Sequence, residues 1–279
     1  MFMISRRTRT LQSPKYLQKK RKKTTIKVFL SVVCILFVIT AFVLFLRLPF
    51  FQITTVKLEK PGSLPAGELE AKALAATKGN YLYVIPRSFS FLYPKDDMTV
   101  AVMDAYKKID SMRIVRKSFS TLEITVSERV PEAIVCEGFR EEDELDECFF
   151  ADKDGFIFTE SPGFSDGVYS RYYVNSDSNK LALGTNFIDQ AGFRALQAFV
   201  SGIRANGIST LGMLIGSAGS YELYIKNMDQ STAVVYFDDR IPLDDTMSNL
   251  IAFWDNTKAK GNFDYINLRF GNNVFYSFK

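Results

Sequence analysis

No histidine occurs in this 279-residue chain, and only three cysteines do, Cys34, Cys136 and Cys148. Without imidazole there is no Ser-His-Asp or Cys-His triad, no histidine acid–base chemistry and no metal site built on a histidine ligand. Three thiols are one short of an all-thiolate tetrahedral zinc site. A Ser-x-x-Lys dyad, a Walker A loop and a Gly-x-Gly-x-x-Gly fingerprint are all missing from the sequence. Two carboxylate pairs, Asp238/Asp239 and Asp244/Asp245, could do acid–base work only if brought across a cleft. A loop tip and a helix start explain them more simply. Asp152-x-Asp154-Gly155 has the opening of a calcium loop, but its glycine comes two positions early and the later carboxylates are lacking, so it reads as a hairpin turn. The expectation is a protein with no catalytic residue, no metal and no cofactor, whose work is binding.

Cys136 and Cys148 flank an acidic loop, residues 137–147, with seven acids and one base. Outside the cytoplasm, two cysteines at matching ends of a hairpin are disulfide candidates, worth about 3 kcal/mol for a loop this small. Two buried thiols are the alternative. Cys34 lies in a different part of the chain altogether.

That part is an apolar segment. The formal net charge of +4 hides a division, because residues 1–27 hold ten Lys/Arg and no acid. The other 252 residues carry 25 bases against 31 acids. Between the two pieces, Val28 to Leu46 runs nineteen residues without a charge, bracketed by Lys27 and Arg47. As a helix it would reach roughly 28 Å, close to the ~30 Å hydrocarbon core of a bilayer. A cleaved signal peptide would have a shorter apolar core and a small-x-small site. The basic tail has one aromatic residue, Tyr16, among its Lys/Arg run and no fold of its own, so orientation of an anchor explains it better than nucleic-acid binding, and no nucleic-acid partner is expected. The prediction is a single-pass protein of the cell membrane, with lipid bilayer as a partner, its N-terminus cytoplasmic and everything after the span outside.

The elements beyond the span read as α+β. Phe50 to Leu58 is rich in strand formers. Pro65–Thr77 and Asp97–Ile109 read as helices, the second with Ala101, Ala105 and Ile109 on one face. Met112–Ser118 and Thr121–Pro131 read as strands, with Leu122, Ile124 and Val126 alternating against Glu123, Thr125 and Ser127. From Glu132 the pattern turns β-rich, and an antiparallel sheet is expected. Its strands are placed at 132–136, 148–151, 156–158, 223–225, 233–237, 263–270 and 274–278. Two amphipathic helices, 191–205 and 244–260, read as covers for that sheet. The domain reading is thus a basic tail (1–27), a span (28–46), a strand–helix–helix–strand–strand unit (49–131) and a β domain (132–279).

This organisation, with three motifs in order, resembles the FtsQ/DivIB family of bacterial cell-division proteins. Thr121-Leu122-x-Ile124-x-Val126-x-Glu128-Arg129-x-Pro131-x-Ala133 is similar to the family's signature where its POTRA domain runs into its β domain. Phe150-x-Asp152-x-Asp154-Gly155-x-Ile157-Phe158 looks like its Asp-x-x-Gly turn, and Ile266-Asn267-Leu268-Arg269-Phe270 like its terminal strand. Ser118-Phe119-Ser120 stands where the family has Pro-x-Thr, and Asn267 where it has aspartate. The resemblance covers nearly all of residues 28–279. It implies a non-enzymatic divisome scaffold at the septum that binds FtsB/DivIC-like and FtsL-like bitopic membrane proteins and helps control septal peptidoglycan synthesis. It also implies that a partner strand adds beside the last strand of the β domain, which carried over marks Phe270, Val274, Phe275 and Tyr276 as partner-binding. Other readings are an anchored POTRA protein of secretion or assembly, or a cell-wall glycan binder.

Overall fold

The computed structural model describes residues 14–59, 62–138, 147–162, 168–174, 181–271 and 273–279, with side chains from residue 22 onward. The tail bases Arg6, Arg7 and Arg9 and most of the acidic loop lie outside those residues. The chain divides into two compact units. One holds residues 1–59, 64–99 and 114–124, the other residues 60–63, 100–113 and 125–279.

The first unit opens with a 33-residue helix, α1 (Pro14–Leu46). Its part from Lys22 to Leu46 is long and apolar enough to cross a membrane. The described side chains of α1 stand exposed almost throughout, and only Leu46 at its end is buried. Pro49–Phe51 form a 3-10 turn, so the strand expected from Phe50 starts later, as β1 (Thr55–Glu59). Proline fixes φ near the helical value and favours the tight turn first. α2 (Ala66–Ala75) follows, then a two-stranded hairpin, β2 (Asn80–Tyr81) and β3 (Ile85–Pro86), then α3 (Lys95–Ala105). The helix expected to reach Ile109 stops at Ala105, and Ile109 opens β4 (Ile109–Arg116). The buried residues of α3 are Met98 and Val102 rather than the Ala101/Ala105 stripe. A one-residue shift turns the face by about 100°. β5 (Thr121–Glu128) lies between β1 and β4, with Leu122 and Ile124 fully buried; α3, β4 and β5 each run from one unit into the other.

The second unit is built on a nine-stranded sheet. Its strands are β6 (Ala133–Glu137), β7 (Cys148–Ala151), β8 (Ile157–Glu160), β9 (Ser170–Val174), β10 (Thr210–Ile215), β11 (Ser220–Lys226), β12 (Thr232–Asp238), β13 (Phe263–Phe270) and β14 (Asn273–Phe278). They lie in the order β14-β13-β12-β11-β10-β9-β6-β7-β8. The sheet is mixed, which corrects the antiparallel expectation: β6–β9, β9–β10 and β12–β13 pair in parallel. Parallel neighbours need a crossover, and for β9–β10 and β12–β13 a helix supplies it. α4 (Gln190–Ala205) joins β9 to β10, and α5 (Leu243–Thr257) joins β12 to β13. The sequence pattern marks both helices as covers, but β9 and β10 carry no clear strand pattern of their own, so only the fold shows the crossovers.

Both helices cover one face of the sheet. Phe193, Leu196, Phe199, Val200 and Ile203 of α4, with Leu250 and Trp254 of α5, share a core with Val135, Tyr172, Leu223, Val235, Ile266 and Leu268 of the strands. The Asp189 carboxylate caps α4 by accepting from the Gly192 N–H at 2.9 Å. Among the described residues no helix lies on the opposite face, and a smaller cluster of Ile134, Cys136, Phe150 and Phe158 occupies one end.

Candidate interaction surface

The two edges of the large sheet are finished differently. At one, β8 is four residues long, ends in Glu160 and has a chain segment against it. Ile157 N–H donates to Thr185 O (2.9 Å), Gly184 N–H to Ile157 O (2.8 Å), and Phe156 bridges to Asn186. At the other, β14 (Asn-Val-Phe-Tyr-Ser-Phe) pairs with β13 on one side only, and no described residue pairs on its outer side. It carries neither charge nor proline, the usual devices by which soluble proteins blunt an edge. Four of its six residues are exposed, and all three of its aromatic residues are among them.

Alternation sorts the expected partner-binding residues. Val274 packs against the helix-side core. Tyr276 leans the same way, its ring 5.0 Å from Phe253 of α5 and 6.0 Å from Phe263, yet stays 41% exposed. Phe270 and Phe275 are 54% and 53% exposed, and meet edge to face at 5.0 Å beside the β13–β14 turn. Gly271 takes φ +64° in that turn. Phe278, which the sequence reading left out, belongs with them: it stacks on Phe263 at 5.1 Å and is 39% exposed. An exposed aromatic at period two from Tyr276 was the available signal.

The neighbouring strands of the helix-free face are polar and aromatic. The Asn267 side-chain oxygen accepts from Arg269 N–H (3.2 Å) and Nε (3.1 Å), and the guanidinium lies 5.4 Å from the Tyr236 ring centre. Burial pushes the Tyr236 phenol up, with the Glu222 carboxylate adding to it. Asp238 accepts from the Arg240 side chain (2.5 and 3.0 Å), which holds its carboxyl below the usual range.

The residues that suggested other chemistry have structural partners. Asp152 Oδ1 accepts from Asp154 N–H (2.8 Å) and Phe156 N–H (3.1 Å), and its Oδ2 takes the Arg129 guanidinium. This is a self-bonded turn, with Gly155 at φ +74°. Asp244 and Asp245 sit in the first turn of α5, where the helix dipole favours them. Cys136 and Cys148 face each other in the β6–β7 register and are bonded to one another. Among the described residues no group of three or more Cys, Asp or Glu is arranged to hold a metal ion.

Glu128 and Arg129 do a job the sequence reading attached only to a motif. Glu128 accepts from Ser63 N–H (2.8 Å) and Oγ (2.5 Å). Arg129 donates to Lys107 O (3.2 Å), to Asp110 (3.4 Å) and to Asp152, and lies 4.1 Å from the Phe156 ring centre. The pair ties three separate chain segments within the second unit. No protein-family model and no curated protein matches the chain.

Proposed function

We propose that this protein is a non-enzymatic, membrane-anchored scaffold of the FtsQ/DivIB type, which takes a strand from a small bitopic partner onto β14. The observation that carries the reading is the bare edge: long, uncharged and aromatic, on a sheet whose other edge is covered. Strand addition would satisfy its backbone groups, while Phe270 and Phe275 on one face and Tyr276 and Phe278 on the other would set register. The partners are FtsB/DivIC-like and FtsL-like proteins, and the role is control of septal peptidoglycan synthesis.

The anchor reading rests on α1, whose uncharged stretch is exposed along nearly all its described length, and on ten bases at its N-terminal side. That side faces the cytoplasm, and everything after the span lies outside. The order β1-α2-β2-β3-α3-β4-β5, with β5 between β1 and β4, supports a POTRA-like fold. The Glu128-Arg129 ties give the family-like signature a physical reason, since neither residue has a free side chain to offer a ligand. Depletion in the parent cell tests the role. Filaments without septa are expected; normal septation on full depletion would refute the cell-division function.

A further inference from the structure

The hairpin β2–β3 of the first unit has a tip that water does not explain. Leu82 and Tyr83 both hold positive φ, +47° and +63°, and Val84 N–H closes the turn onto Tyr81 O at 3.1 Å. Mirror-image turns of this kind ordinarily take Asn-Gly, because a side chain at positive φ is strained. Here the strained positions carry a leucine 86% exposed and a tyrosine 94% exposed. A strained conformation that displays apolar side chains points to something that meets them.

The same unit carries a second group of exposed apolar side chains. Phe50, Phe91 and Phe119 are 65%, 53% and 39% exposed and form one ring cluster, Phe119 lying 5.3 Å from Phe50 and 5.7 Å from Phe91. The Arg116 guanidinium sits 4.4 Å over Phe91. The group is continuous with the end of α1. β3 packs beside that helix, Gln52 Nε2 donates to Leu46 O at 2.6 Å, and the Phe45 and Phe51 rings lie 5.1 Å apart. Aromatic side chains with a cation among them, starting where an apolar helix stops, match the chemistry of the lipid headgroup layer.

We propose that this face, the tip Leu82–Val84 with Phe50, Phe91 and Phe119, beds into the headgroup layer of the membrane that α1 enters. Arg116 is then placed to meet lipid phosphate. The inference rests on the reading of α1 as a span and not on any role in division. Its consequence is that the first unit lies on the bilayer, rather than swinging free of it.

The test uses spin labels on the full chain, alone in nanodiscs of phosphatidylethanolamine and phosphatidylglycerol. In a Cys34→Ser background, with Cys136 and Cys148 left bonded, labels go on Tyr83→Cys or Phe91→Cys. Both sites are exposed, so labelling does not disturb the core. Met228→Cys, at an exposed turn of the second unit, gives the water reference, and Leu36→Cys the bilayer interior. The ratio of oxygen to water-soluble nickel-complex collisions at positions 83 and 91 is expected several-fold above that at 228. A ratio at either site equal to that at 228, with 36 lipid-like, overturns the proposal while α1 still spans, and leaves the face for a protein partner. A water-like label at 36 overturns both readings.

Discussion

Replacing Arg129 by methionine keeps an unbranched stem over Phe156 and deletes the guanidinium. The side chains of Arg129 and Asp152 are only 13% and 5% exposed, so their pair is held largely out of water. Removing one member of such a pair leaves an uncompensated charge, at a cost of about 3–5 kcal/mol. Asp152 keeps two backbone donors, Asp154 N–H and Phe156 N–H, which argues for the lower end. The bond to the Lys107 carbonyl is lost as well, adding about 1 kcal/mol. The contact with Asp110, 41% exposed, adds little. A total of about 3–4 kcal/mol corresponds to a fall of roughly 6–16 °C in the melting of a unit this size. Thermal unfolding of the full chain in detergent, followed by near-ultraviolet circular dichroism, measures it. Asp152→Ala in the Arg129→Met background should cost much less than in the wild type. A loss for Arg129→Met under about 1 kcal/mol, or additive single losses, would refute the account of the tie.

Two further outcomes follow from the same structure. Gly155→Ala places a Cβ at φ +74°, 3.1–3.2 Å from Phe193 Cγ and Cβ; strain and crowding against a buried ring should cost about 2 kcal/mol or more, read as a lower urea midpoint. The pH profile should be flat from about 5 to 8, because no side chain with an ordinary pKa there is present to titrate. Asp154, held down by its bond from Arg194, Asp229 by its bonds from Ser231 and Asp238 by its bond from Arg240 have folded pKa values below their unfolded ones. Their stabilisation is therefore complete above the unfolded value near ~4 and is lost as pH falls through the lower folded values. An unfolding transition between pH 5 and 8 would contradict this.

Much of the architecture was legible because its signals are local. The uncharged run 28–46, the alternation of Leu122 with Ile124 and the stripe of α4 each follow from the period of one element. What was not legible depends on partners distant in sequence. β9 (Ser-Arg-Tyr-Tyr-Val) and β10 (Thr-Leu-Gly-Met-Leu-Ile) are short and lack clean alternation, and only their neighbours make them strands. Missing them turned two crossover helices into mere covers and a mixed sheet into an antiparallel one. At the edge, residue types alone could not separate Val274, turned to the core, from Phe275 on the other face. The hairpin tip was hidden for a different reason: Leu82-Tyr83-Val84 contains no turn residue to mark it.

The central claim is that β14 receives a partner strand. Amide hydrogen exchange on the full chain in nanodiscs, with and without a bound FtsB/DivIC-like protein, tests it most directly. Binding should slow exchange across 273–278, and Phe270→Lys with Phe275→Lys should weaken binding tenfold or more while the melting temperature holds. Partner binding that leaves β14 exchange unchanged, or survives the double lysine variant at full affinity, would contradict the account.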